Sequence, residues 1–69
     1  MVFKTRTDAY NAGYEIVYAV FDAKDMYNHC LLQISTTYSE AFNLKNKLEE
    51  AYIVECTYVS PYRWKELKL

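Results

Sequence analysis

The sequence predicts a small α+β domain: an antiparallel sheet of three or four strands in the order β-β-α-β, with one α-helix packed on one face. Three observations carry that expectation. Residues 14–22, "YEIVYAVFD", are β-branched and aromatic with apolar residues on both alternation faces, which marks a central strand covered on both sides. Residues 36–52, "TTYSEAFNLKNKLEEAY", form the one convincing helical pattern. A single glycine and a single proline leave little room for long irregular loops.

Taken in order, "MVFKT" is compatible with a short edge strand, and "TDAYNAG" with one helical turn capped by Thr7 or Asp8 and ended by Gly13. Residues 1–13 are thus an N-terminal arm or edge strand, 14–60 the core and 61–69 an aromatic and basic tail, within one domain. After strand 14–22, the polar residues Asp22, Lys24, Asp25 and Asn28 make a turn. "HCLLQIS" (29–35) returns as a second strand, alternating Cys30, Leu32 and Ile34 against His29, Leu31 and Gln33. In the helix, Thr37 followed by Glu40 fits a capping box, and Ala41, Leu44, Leu48 and Ala51 recur at helical spacing. "YIVECTYV" (52–59) is a third strand, ended by Ser60-Pro61.

Placing strand 52–59 beside strand 14–22 makes the doubly apolar strand central. Ala19 permits close helix approach, so the helix is assigned to the face of Val17, Ala19, Phe21, Cys30, Leu32, Ile34, Val54, Cys56 and Tyr58. The other face then holds Ile16, Tyr18, Val20, Leu31 and Ile53 uncovered. A contiguous apolar patch of that kind marks an interface, so these five residues are the expected homodimer face. Folding back of the N-terminal segment is the competing way to cover it.

Charge distribution narrows the partner classes. The net charge is −1, but Lys4 and Arg6 give the N-terminal end +2, and Arg63, Lys65 and Lys68 against Glu66 give the C-terminal end +2. The middle carries Lys24, Lys45 and Lys47 against Asp8, Glu15, Asp22, Asp25, Glu40, Glu49, Glu50 and Glu55, or −5. That is too basic at the ends for a DNA mimic and too acidic in the middle for a general nucleic-acid binder. Two cysteines without a C-x-x-C, no signal-peptide pattern and no membrane-length apolar run give the expectation of a reduced, cytoplasmic protein away from membranes.

Little in the sequence points to catalysis. His29 and Cys30 are neighbours in a strand, so they point to opposite faces and cannot form a nucleophile–base dyad. Two cysteines and one histidine lack metal-ligand spacing, and no glycine-rich loop exists to cradle a phosphate. Glu49-Glu50 and Asp22/Asp25 read as a solvated helix face and a turn. The expectation is no enzyme, no cofactor and no metal.

The remaining signal is "SPYRWKEL" (60–67). Tyr62, Arg63 and Trp64 are the residue types that dominate protein–protein hot spots, and with Lys65 they form the candidate partner-binding segment. The competing reading makes Trp64 a plug folded back onto the sheet. In size and in its richness in Tyr, Asn and Lys, the chain resembles small accessory proteins of bacteriophages and mobile elements. That resemblance, one of composition that transfers no site, implies a module that clamps one host protein and modulates or inhibits it. The runner-up is an RNA- or single-strand-binding protein using Lys4, Arg6, Arg63, Lys65 and Lys68 with exposed aromatic rings.

Overall fold

The computed structural model describes residues 1–61 and 63–69. In chain order these form β1 (Val2–Phe3), α1 (Arg6–Asn11), β2 (Ile16–Asp22), β3 (Cys30–Ser35), α2 (Tyr38–Lys45), β4 (Ala51–Tyr58) and β5 (Trp64–Lys68). The strands make one antiparallel sheet in the order β1-β3-β2-β4-β5. The α+β class and the central position of strand 14–22 are as expected. The sheet has five strands rather than three or four, however, and there are two helices, one on each face.

Helix α1 begins two or three residues earlier than expected. Thr5 is its N-cap, with extended backbone (φ −134°, ψ 158°) and a hydroxyl that accepts from the Asp8 N–H at 3.1 Å. Gly13 takes φ +103° just beyond the helix, in the left-handed region that L side chains avoid. In α2, the Thr37 hydroxyl accepts from the Glu40 N–H at 3.3 Å and donates to the Glu40 carboxylate at 3.0 Å, while that carboxylate also meets the Met1 ammonium. Helix α2 stops at Lys45, well short of the sequence pattern. Ala51 and Tyr52 pair instead with Asp22 and Phe21, because the antiparallel ladder beside β2 overrides local helix propensity, even that of Ala51.

The helix on the second face overturns the expected face assignment. Helix α2 packs through Ala41 and Leu44 onto Val20 and Ile53, which are 0% and 1% exposed. The five-residue homodimer face therefore does not exist as an open surface. Tyr18 also lies under this helix, with its ring edge-on to Tyr38, and only Ile16 of the four residues on that face is exposed. The reason is handedness. Strands β3 and β4 run parallel to one another on either side of β2, so β3–α2–β4 is a crossover within one sheet. The right-handed form places the helix over Val20 and Ile53, and the left-handed form is strongly disfavoured.

Leu31 departs from the expectation for a different reason. Val20 pairs with Gln33 but Phe21 pairs with Leu31, which leaves Leu32 as the extra residue of a β-bulge. Past the bulge, Leu31 shares the face of Phe21, and Cys30 shares the face of Asp22. Cys30 is exposed and Cys56 buried, both as free thiols on opposite faces of the sheet.

The first face is covered by α1. Ala9 sits over Val17, Ala19, Ile34, Val54 and Cys56, with Phe3, Phe21, Tyr52 and Trp64 around the rim. Ala19 does lie in the core beneath a helix, but the helix is α1. The segment expected as a tail is the strand β5, whose Lys-Glu-Leu-Lys run gives no apolar alternation because it lies at the sheet edge.

Candidate interaction site

Tyr58 at the end of β4, Trp64 at the start of β5 and Tyr10 in α1 meet at one end of the sheet. The cross-strand pairing of Tyr58 with Trp64 puts both side chains on the α1 face. Their rings meet edge to face, with centroids 5.4 Å apart and planes at 79°. Tyr10 stacks on Tyr58 at 3.8 Å and meets Trp64 edge-on at 6.4 Å. Together with Thr7 and Asn11 these rings line an open cleft of about 300 Å³.

Arg6 fixes the inner side of this cluster. Its guanidinium lies 5.6 Å from the Trp64 ring centroid, ion-pairs with Glu66 and donates to the Cys56 sulfur at 3.9 Å. Burial works against the Arg6 charge, but the hydrogen bonds to Glu66 and Cys56 outweigh it and raise its pKa. For Cys56 burial dominates and pushes the thiol up, against the opposing pull of Arg6. A small cavity of about 120 Å³ lies beside this contact, lined by Phe21, Leu31 and Ile34 among others. That volume has room for only a few waters, below the ~300–1,000 Å³ that ligand sites typically span.

The expected partner-binding residues are therefore divided. Trp64 is half-buried, so it is at once a plug and a wall of the cleft. Arg63 is exposed directly before it. Lys65 is exposed but pairs with Thr57, which places its side chain on the opposite face from Trp64. Tyr62 lies outside the described residues. Sequence reasoning missed Thr7, Tyr10 and Asn11, because nothing local links a tyrosine in the first helix to a tryptophan near the other end. The available signal was the helical turn that carries Tyr10 beside the acidic Asp8 and polar Asn11.

A second aromatic group lies at the opposite end of the same face. Phe21 stacks on Tyr52 at 5.4 Å, His29 Nδ1 is 2.7 Å from the Tyr52 hydroxyl, and the Lys68 ammonium sits 4.4 Å above the Tyr52 ring. Met26 and Tyr27 in the turn beyond are highly exposed. Among the described residues no three His, Cys, Asp or Glu side chains converge as a metal site, and no helix is long and apolar enough to cross a membrane.

The fold and the site define a small α+β domain, a five-stranded antiparallel sheet between two short helices, with an aromatic cleft at one end. Comparison of the chain with protein-family models, curated proteins and solved structures found no match.

Proposed function

We propose that the protein is a non-enzymatic interaction module that docks onto another protein through the Tyr10–Tyr58–Trp64 cleft and so modulates or inhibits that partner. The observation that carries this reading is the convergence of three aromatic rings from α1, β4 and β5 on one open cleft. Rigid aromatic walls offer large contact area with little entropy to lose on binding. At about 300 Å³ the cleft fits one apolar side chain of a partner. Its lining of Thr7, Tyr10, Asn11, Tyr58 and Trp64 carries no carboxylate, imidazole or thiol for acid–base or nucleophilic work.

Nucleic-acid stacking is the weaker fit. Tyr10 and Tyr58 already occupy one another's ring faces, and Arg6 is spent on Glu66 and Trp64. In keeping with the reduced thiols, the module works in the cytoplasm. The test is capture by tagged protein from nuclease-treated cells, repeated with Asn11→Arg and with Thr7→Arg, each of which fills the cleft from one of its exposed lining positions. Both positions are exposed, so melting curves should match wild type. The reading expects a retained protein that both variants lose. Retention unchanged by both variants moves the docking site elsewhere, and loss of all bound material with nuclease favours nucleic acid.

A further inference from the structure

We propose that the outer edge of β5 pairs with the β5 of a second copy of this chain, antiparallel about a two-fold axis through Leu67, to form one continuous sheet. This goes beyond the docking function and does not rest on it, because the aromatic cleft and the β5 edge use different atoms.

The sheet has two edges, and they differ in kind. The β3 edge is capped at Ile34 and Ser35 by β1 and then broken by the bulge at Leu32, which spoils a straight ladder. The β5 edge is regular from Trp64 to Lys68, and no strand covers it among the described residues. Its backbone is set for pairing. The Leu69 N–H donates to the Ile53 carbonyl and the Val59 N–H to the Arg63 carbonyl, both at 2.8 Å. Antiparallel ladders alternate, so the N–H and C=O groups of Trp64, Glu66 and Lys68 point outward and need partners.

Lysines on an edge ordinarily block pairing. Here the order of charges makes one register self-complementary. A two-fold axis perpendicular to the sheet keeps like faces together and must pass through a residue position. Centring on Lys65, Glu66 or Lys68 sets that charge against its own copy, and centring on Trp64 sets Lys65 against Arg63 of the second copy. Centring on Leu67 alone avoids every like-charge pair. Glu66 then faces Lys68 of the second copy, and Lys68 faces its Glu66, on the α1 face. These are the residues whose backbone groups point outward, so the same two positions exchange the ladder hydrogen bonds.

The second face agrees. Leu67 is 57% exposed and Leu69 is 48% exposed on the α2 face, at the sheet edge beyond the α2 contacts with Val20 and Ile53. In the Leu67 register the two Leu67 side chains meet as a closely spaced non-hydrogen-bonded pair, and each Leu69 lies against the Lys65 stem of the other copy. Glu66 is held on its face by Arg6, and Lys68 by the Tyr52 ring, so both charges stand ready on the same side.

The experiment is sedimentation equilibrium of the wild-type chain, of E66K, of K68E and of an equimolar mixture of the two variants. The wild type should associate to twice its 8.2 kDa mass. Each variant alone sets like charges opposite one another and should weaken association by roughly tenfold or more. The mixture should recover a heterodimer, since lysines of one chain then face glutamates of the other. Monomeric wild type at high micromolar concentration overturns the proposal. A dimer unaffected by either variant, or a mixture that fails to recover, overturns it equally. If E66K unfolds through loss of its Arg6 partner, Leu67→Cys in a Cys30→Ser background decides the matter. Oxidation should link Leu67→Cys chains into dimers and leave Lys65→Cys chains unlinked.

Discussion

Trp64 stands edge-on to Tyr58 across the β4–β5 pair, 5.4 Å between centroids, and this contact ties the last strand to the first helix through Tyr10. The last strand therefore depends on an aromatic cluster as much as on its ladder. Trp64→Ala should cost about 2–4 kcal/mol by urea unfolding, while Trp64→Phe keeps most of the packing and should cost about 1 kcal/mol. As Trp64 is the only tryptophan, its emission also reports the cluster directly. Fully red-shifted emission in the native protein, or an alanine variant as stable as wild type, would show that the ring is not packed.

The placement of α2 has its own test. Ile53 is buried beneath Ala41, whereas Ile16 on the same face is about half exposed beyond the helix. Ile53→Ala should therefore destabilise by about 2–4 kcal/mol and Ile16→Ala by about 1 kcal/mol or less. Equal costs for the two would mean that α2 does not cover Ile53.

The two thiols should differ sharply in reactivity. Cys30 is exposed, while Cys56 lies in the core with its thiol pushed up by burial against the pull of Arg6. Native protein treated with iodoacetamide at neutral pH should gain one alkyl group, mapped to Cys30 by mass spectrometry. Two groups should appear only after denaturation. Rapid labelling of Cys56 in the native state would place that side chain outside the core.

Acid should loosen the β2–β3 turn through Asp25. Its carboxylate accepts from the Tyr27 N–H at 3.0 Å and from the Asn28 side-chain amide at 3.3 Å, and these bonds lower its pKa below the ordinary 3.8. A depressed carboxyl binds protons more readily in the unfolded chain. Its contribution is thus present above the ordinary value and is lost as pH falls through the folded one. Asp25→Ala should flatten that part of the acid limb in a series of melts below pH 4, with amide exchange at Tyr27 and Asn28 speeding up. An unchanged acid limb would mean these turn bonds do not favour the charged form.

How far the fold could be read from the chain depended on whether a residue's signal was local. The doubly apolar run at 14–22 is visible as a central strand because both its faces are buried, Val17 and Ala19 under α1 and Val20 under α2. The Thr37–Glu40 cap was legible for the same reason, since both partners lie within one turn. The candidate site was half legible. Trp64 announced itself by residue type, whereas Tyr10 joined it only through a contact across the whole chain.

The sequence by itself determined the α+β class and the antiparallel pairing of strands around 14–22. Those follow from alternation, capping and spacing, which act between near neighbours. The tertiary structure decided which face each helix covers, where α2 ends, and that Lys-Glu-Leu-Lys at 65–68 is a strand. The β3–α2–β4 crossover is right-handed because twisted strands and a right-handed helix pack back onto the sheet only that way. That chirality buries Val20 and Ile53, and leaves α1 to cover the face of Ala19. No run of residues carries such information locally, because it belongs to the path of the chain.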